Sequence, residues 1–83
     1  MPKFEDIIAA YGAGVARIAS SYEADPALRE DLVQEILLAV HLALERLKDE
    51  TRLAPFVFRI AHNRCVTHVA RAVREKRTRA AMR

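Results

Sequence analysis

The chain has 83 residues, 52% hydrophobic and 30% charged, with a net charge of +3, two glycines and three prolines, the make-up of one compact helical domain with a small core rather than of a disordered chain. A single cysteine, Cys65, leaves no pair for an internal disulfide and gives no reason to invoke an oxidising compartment, so the cytoplasm is the expected location. Acids interrupt the opening MPKFEDII where a signal peptide needs an apolar run, and no stretch approaches the roughly 18 apolar residues of a membrane span, so no membrane association is expected.

Phe4, Ile7, Ile8, Tyr11, Val15, Ile18 and Tyr22 recur at helical spacing and predict a first helix over about Lys3 to Ser21 with one buried stripe. Gly12 and Gly14 lie inside it. Each costs about 1 kcal/mol relative to Ala in a helix, which suggests that both permit close approach by another helix. In SYEADPALRED, Asp25 followed by Pro26 marks a helix start: the carboxylate caps free backbone N–H groups, and Pro at the first helical position gives up no hydrogen bond. The second helix is predicted to run to about Lys48. Leu32, Ile36, Val40, Ala43 and Leu47 share its apolar face and are expected to pack antiparallel on the first helix through Phe4, Ile7, Tyr11, Val15 and Ile18.

Leu38 and Leu42 fall on the other side of that helix, among Asp31, Gln34, Glu35, His41 and Glu45. Burying a leucine is worth roughly 1.5–3 kcal/mol, so two on a polar face suggest a partner that covers them, although scattered surface leucines are also common. The polar run KDETR ends the pattern and predicts a loop over about Asp49 to Ala54, with Pro55 near the start of a third helix extending to about Lys76. Around that helix, Phe58, Ala61, His62, Cys65, Val69, Ala72 and Val73 form one side. Arg59, Asn63, Arg64, Thr67, Arg71 and Arg74 form the other, with Phe56 and Ile60 among them. Charge is divided accordingly: residues 1–57 sum to −4 and residues 58–83 to +7, so the C-terminal third carries a footprint for a polyanion or else a solvated basic end. The last residues, TRAAMR, are expected to fray.

His62, Cys65 and His68 form H-x2-C-x2-H. Steps of three on a helix turn His62 and His68 apart by about 120°, so no metal site is expected; His62 and Cys65 read as interior or boundary residues and His68 as exposed. Cys65 lies mid-helix on the apolar face, where a thiol is hidden and its pKa raised. With no Gly-rich phosphate loop and with scattered acids, neither enzymatic activity nor a cofactor is expected.

Taken together, FEDIIAAY, LREDLVQEILLAVHLAL and APFVFRIAHNRCVTHVAR resemble region two of bacterial sigma factors, especially the extracytoplasmic-function group, over roughly residues 4–77. The pairing of DLVQE, Asp31 to Glu35, with FRIAHN, Phe58 to Asn63, carries the resemblance. It implies an all-α bundle of three principal helices, with the DLVQE helix docked on the clamp helices of the RNA polymerase β′ subunit through Asp31, Gln34, Glu35 and Leu38. The extra leucines, Leu38 and Leu42, would then be covered by another protein's helices.

The resemblance further implies that the minus-ten promoter element is engaged as opened non-template strand. The loop Asp49, Glu50, Thr51, Arg52 and Leu53 would capture a base, and Phe56, Arg59, Asn63, Arg64, Thr67 and Arg71, continued by Arg74, would form the DNA face. The chemistry of the residues agrees. Guanidinium groups pair with phosphates, Asn63 can read a base edge, and Phe56 offers a flat surface for an unstacked base unless it starts the helix as a core residue. Phe56 stands where the family usually has Trp, and Thr67 where it often has Asp, so the promoter sequence read is not carried over. Sigma factors also carry a region four that reads the minus-thirty-five element; residues 1–83 are expected to form region two alone, with a core over about 4–77 and a frayed tail. Two classes of function remain: a promoter-recognition module, and a helical interaction domain bound only by a protein such as an anti-sigma factor.

Overall fold

The computed structural model describes residues 3–82; Met1, Pro2 and Arg83, at the ends of the expected domain and tail, lie outside it. Three helices, α1 (Phe4–Tyr22), α2 (Pro26–Ala43) and α3 (Leu53–Ala81), pack pairwise on one another, with no strand among the described residues. The start of α1 carries Glu5 and Asp6 near its positive end, and the Asp6 carboxylate accepts the Lys3 backbone N–H at 3.3 Å. Asp25 caps α2 as expected: its carboxylate accepts from Ala27 N at 2.9 Å and Leu28 N at 3.4 Å, with Pro26 opening the helix. Arg29 closes the corner between α1 and α2 by donating to the carbonyls of Glu23 and Ala24.

The second helix ends earlier than its pattern predicts. After Ala43 the chain tightens into a 3-10 turn, Leu44–Arg46, and Leu47 is extended with φ −76° and ψ 113°. Leu44 therefore takes the buried place at the end of the stripe, and Leu47 is only half-buried. A second 3-10 turn, Glu50–Arg52, replaces half of the predicted loop, and α3 begins at Leu53 rather than Pro55. Pro55 falls in the first turn, where its missing N–H costs nothing.

The core is formed by Ile7, Val15 and Ala19 of α1, Leu32, Ile36, Val40 and Ala43 of α2, Leu44, and Val57, Ala61 and Cys65 of α3. Phe4, at the start of α1, lies 4.7 Å ring to ring from His41 near the end of α2, so these two helices run antiparallel. The buried line of α3 is rotated from the predicted one. Both α1 and α2 press on this helix, which places Val57, Ala61 and Cys65 at the centre. Phe58 turns toward α1, edge-on to Tyr11 at 5.8 Å, while Phe56 and Ile60 are half-buried against the core rather than exposed on the basic face. Gly14 provides the close approach expected of it: a Cβ there would lie 3.1 Å from the Phe58 ring, whereas one on Gly12 would meet only Ile8 of its own helix at 3.7 Å.

Beyond His68 the third helix leaves the bundle. Val69 and Val73 are exposed at 38% and 44%, and Ala72 is exposed too, because the line that would continue the core reads Ala72, Glu75 and Arg79. The helix nonetheless continues to Ala81 where fraying was expected, a length of about 43 Å for 29 residues. The molecule measures 51 × 23 × 15 Å with a radius of gyration of 14.6 Å, against about 12 Å for a compact chain of this length.

Candidate functional site

On α2 the helical repeat places Asp31, Gln34, Leu38 and Leu42 along one outward strip. All four are exposed, Leu38 at 56% and Leu42 at 68%. Leu28, one turn earlier and 48% exposed, extends the apolar surface; its place just inside the helix start drew no attention in the sequence. Glu35 departs from this strip. It is partly buried and turned toward α3, its Oε1 3.8 Å from Arg64 Nη1 and 3.8 Å from Arg71 Nη2.

Arg59, Asn63, Arg64, Thr67, Arg71 and Arg74 are exposed along α3. The Thr67 hydroxyl donates to the Asn63 carbonyl at 3.0 Å, one turn back, which leaves the Asn63 side-chain amide uncommitted by it. Between α2 and α3 lies a recess of about 270 Å³ lined by Ala39, Ala43, Arg46, Ile60, Asn63, Arg64 and Thr67. Two alanines on α2 make the space, Ile60 supplies an apolar wall, and Asn63 and Thr67 supply polar groups. Ala39 and Arg46 do not stand out in the sequence, and Ala43 does so only as part of the apolar stripe; the spacing of small residues opposite Asn63 becomes meaningful only once the two helices are paired.

A second, wider recess of about 400 Å³ lies at the start of α3, lined by Leu47, Arg52, Pro55, Phe56 and Arg59. The segment beside it is ordered locally. The Asp49 carboxylate accepts from Thr51 N at 3.0 Å and from Thr51 Oγ1 at 2.6 Å, and these bonds hold its pKa below the usual carboxylate range. Of the residues expected to capture a base, Asp49, Glu50, Thr51 and Arg52 are exposed and Leu53 is half-buried as the first residue of α3. Phe56 packs on the core and also lines this recess.

The H-x2-C-x2-H residues point to separate partners. Tyr22 Oη and His62 Nδ1 lie 3.3 Å apart, at the rim of the bundle rather than inside it. Cys65 is fully buried, and desolvation raises its thiol pKa. His68, expected to be exposed, is largely shielded and donates from Nε2 to the Glu23 carboxylate at 2.8 Å. That bond comes first, and a backbone bond from Asp25 second, among the causes that lower the Glu23 pKa. No group of three or more His, Cys, Asp or Glu side chains among the described residues is placed to hold a metal ion.

An apolar and acidic face on one helix, beside a basic face with recesses on the next, defines a small helical domain built to bind other macromolecules. The sigma-70 region 2 family matches residues 7–75, most of the chain, and the chain belongs to that family. No curated protein sequence and no solved structure matches it significantly. Membership assigns the domain a part in transcription initiation, in contact with RNA polymerase and promoter DNA. No helix among the described residues is long and apolar enough to cross a membrane.

Proposed function

We propose that this domain is a cytoplasmic promoter-recognition module of the extracytoplasmic-function type, which docks on the β′ clamp helices through α2 and holds the minus-ten element as opened non-template strand on α3. The strip Asp31, Gln34, Leu38 and Leu42 is the polymerase side. The observation that carries the DNA side is the recess between α2 and α3, where Ala39, Ala43 and Ile60 meet Asn63, with Arg46 and Arg64 also lining it.

An unstacked base needs such a place: apolar contact for its faces, a donor and an acceptor for its edge, and cations for the flanking phosphates. Phe56, with Arg52 and Arg59 around it, supports a second base contact at the start of α3. Asp49 and Thr51 stiffen the segment that borders it. Regulation by an anti-sigma factor would use the same exposed surfaces.

Titration of fluorescently labelled single-stranded oligonucleotides, at two salt concentrations, tests the DNA side. A promoter-like strand is expected to bind more tightly than its scrambled version at both salts, because phosphate attraction alone is blind to sequence. Equal binding of the two across a panel of candidate elements would leave a domain whose partners are proteins only.

A further inference from the structure

Glu35 lies in the DLVQE stretch, yet its side chain belongs to the other surface. Asp31, Gln34 and Leu38 face solvent, while the Glu35 carboxylate sits between two arginines of α3. Arg64 and Arg71 are two helical turns apart, about 10.5 Å along the axis, and reach the same oxygen, Oε1, each at 3.8 Å. That distance is beyond hydrogen bonding, so the attraction is Coulombic and imposes no single geometry. Both arginine side chains remain about half exposed, at 46% and 50%, and so can meet a phosphate while the carboxylate stays beside them. Arg59 and Arg74, on the same helix, have no carboxylate at ion-pair distance among the described residues, which makes the pairing a local feature and not a property of the whole face.

We infer that Glu35 sets the baseline affinity of the DNA face: its carboxylate offsets the charge of Arg64 and Arg71 and so restrains attraction to phosphates of any sequence. The inference rests on the DNA-binding reading given above. Phosphate attraction is equal for every strand, whereas base contacts separate one strand from another. A carboxylate that subtracts from the first and leaves Asn63 alone lowers background binding without lowering discrimination.

Anisotropy titrations of promoter-like and scrambled single strands over a series of salt concentrations test it, with wild type, Glu35→Gln, the double variant Arg64→Ala/Arg71→Ala, and all three substitutions together. Exposed ion pairs have modest energies, so Glu35→Gln is expected to tighten both strands by about three- to tenfold. The salt slope should steepen by up to about 0.7 for each guanidinium released, and the ratio between strands should stay as in wild type. In the background lacking both arginines, Glu35→Gln should change nothing. Wild-type DNA binding left unchanged by Glu35→Gln overturns the inference while the DNA-binding reading stands. So does equal tightening with and without the arginines, which would make the effect one of net charge alone. If wild type and Glu35→Gln both fail to bind any strand at low salt, the DNA-binding reading falls and this inference with it.

Discussion

Replacing Leu38 and Leu42 of α2 by arginine separates docking from folding. Leu38 is 56% exposed and Leu42 68% exposed. If a fully buried leucine is worth roughly 1.5–3 kcal/mol, covering the exposed fractions contributes about 0.8–1.7 kcal/mol for Leu38 and about 1.0–2.0 kcal/mol for Leu42. Each substitution should therefore weaken binding to a β′ clamp-helix fragment by roughly 4- to 30-fold, and the pair by roughly 20- to 500-fold. The stem of arginine can cover the intramolecular contacts that the leucines make, so each single substitution should cost less than about 1 kcal/mol of stability. Ile36, two residues before Leu38 and fully buried on the opposite face, gives the contrast: Ile36→Ala should cost about 2–5 kcal/mol in stability. Isothermal titration calorimetry with the fragment, alongside thermal melts of the domain, measures both. Unchanged affinity in the double variant would refute the assignment of this face. Unfolding by Leu38→Arg alone would show that the leucine supports the fold.

On α3, Asn63→Ala is expected to cost roughly 1–3 kcal/mol on the preferred strand and little on a scrambled one; Arg59→Ala should weaken both alike and reduce the salt slope by about 0.7, and identical profiles for the two variants would end the division between base and phosphate contacts. The two glycines of α1 should part company in thermal melts. Gly12→Ala gains about 0.8–1.0 kcal/mol of helix propensity with only an ordinary contact to Ile8, whereas Gly14→Ala brings a methyl to 3.1 Å from the Phe58 ring, which should cancel the gain; equal stabilisation by both would show that Phe58 yields freely. Glu23 titrates below the usual carboxylate value because of its bond from His68, so its contribution to stability is complete above the unfolded pKa and is lost as pH falls through the lower folded one. The Glu23 carboxyl carbon followed by NMR should show that depressed pKa in wild type and a return toward the ordinary value in His68→Ala. A wild-type Glu23 titrating at the ordinary value would remove the bond from the account.

Much of this protein is local and therefore legible along the chain. Asp25 and Pro26 announce a helix start through bonds that span two or three residues. The apolar repeats of α1 and α2 identify most of the core, and Leu38 and Leu42 stand out as leucines that the fold leaves uncovered. The division of charge between the two ends needs only a count.

What tertiary structure decided is the phase of α3, the end of α2, and the place of Glu35. A helix pressed by two neighbours buries the line between them, and the apolar residues of α3 extend far enough around it to allow more than one choice; the packing of α1 and α2 selects Val57, Ala61 and Cys65. The stripe of α2 continues in register through Leu47, so periodicity carries the helix too far, and the chain's turn toward α3 ends it at Ala43. Glu35 reads as one more acid on a polar face until Arg64 and Arg71, 29 and 36 positions further on, are brought beside it. The recess has the same origin: Ala39 and Ala43 are unremarkable small residues on α2, and they become its wall because Ile60 and Asn63 lie across from them on α3. Such contacts depend on the relative rotation of two helices, a quantity that no window of consecutive residues contains.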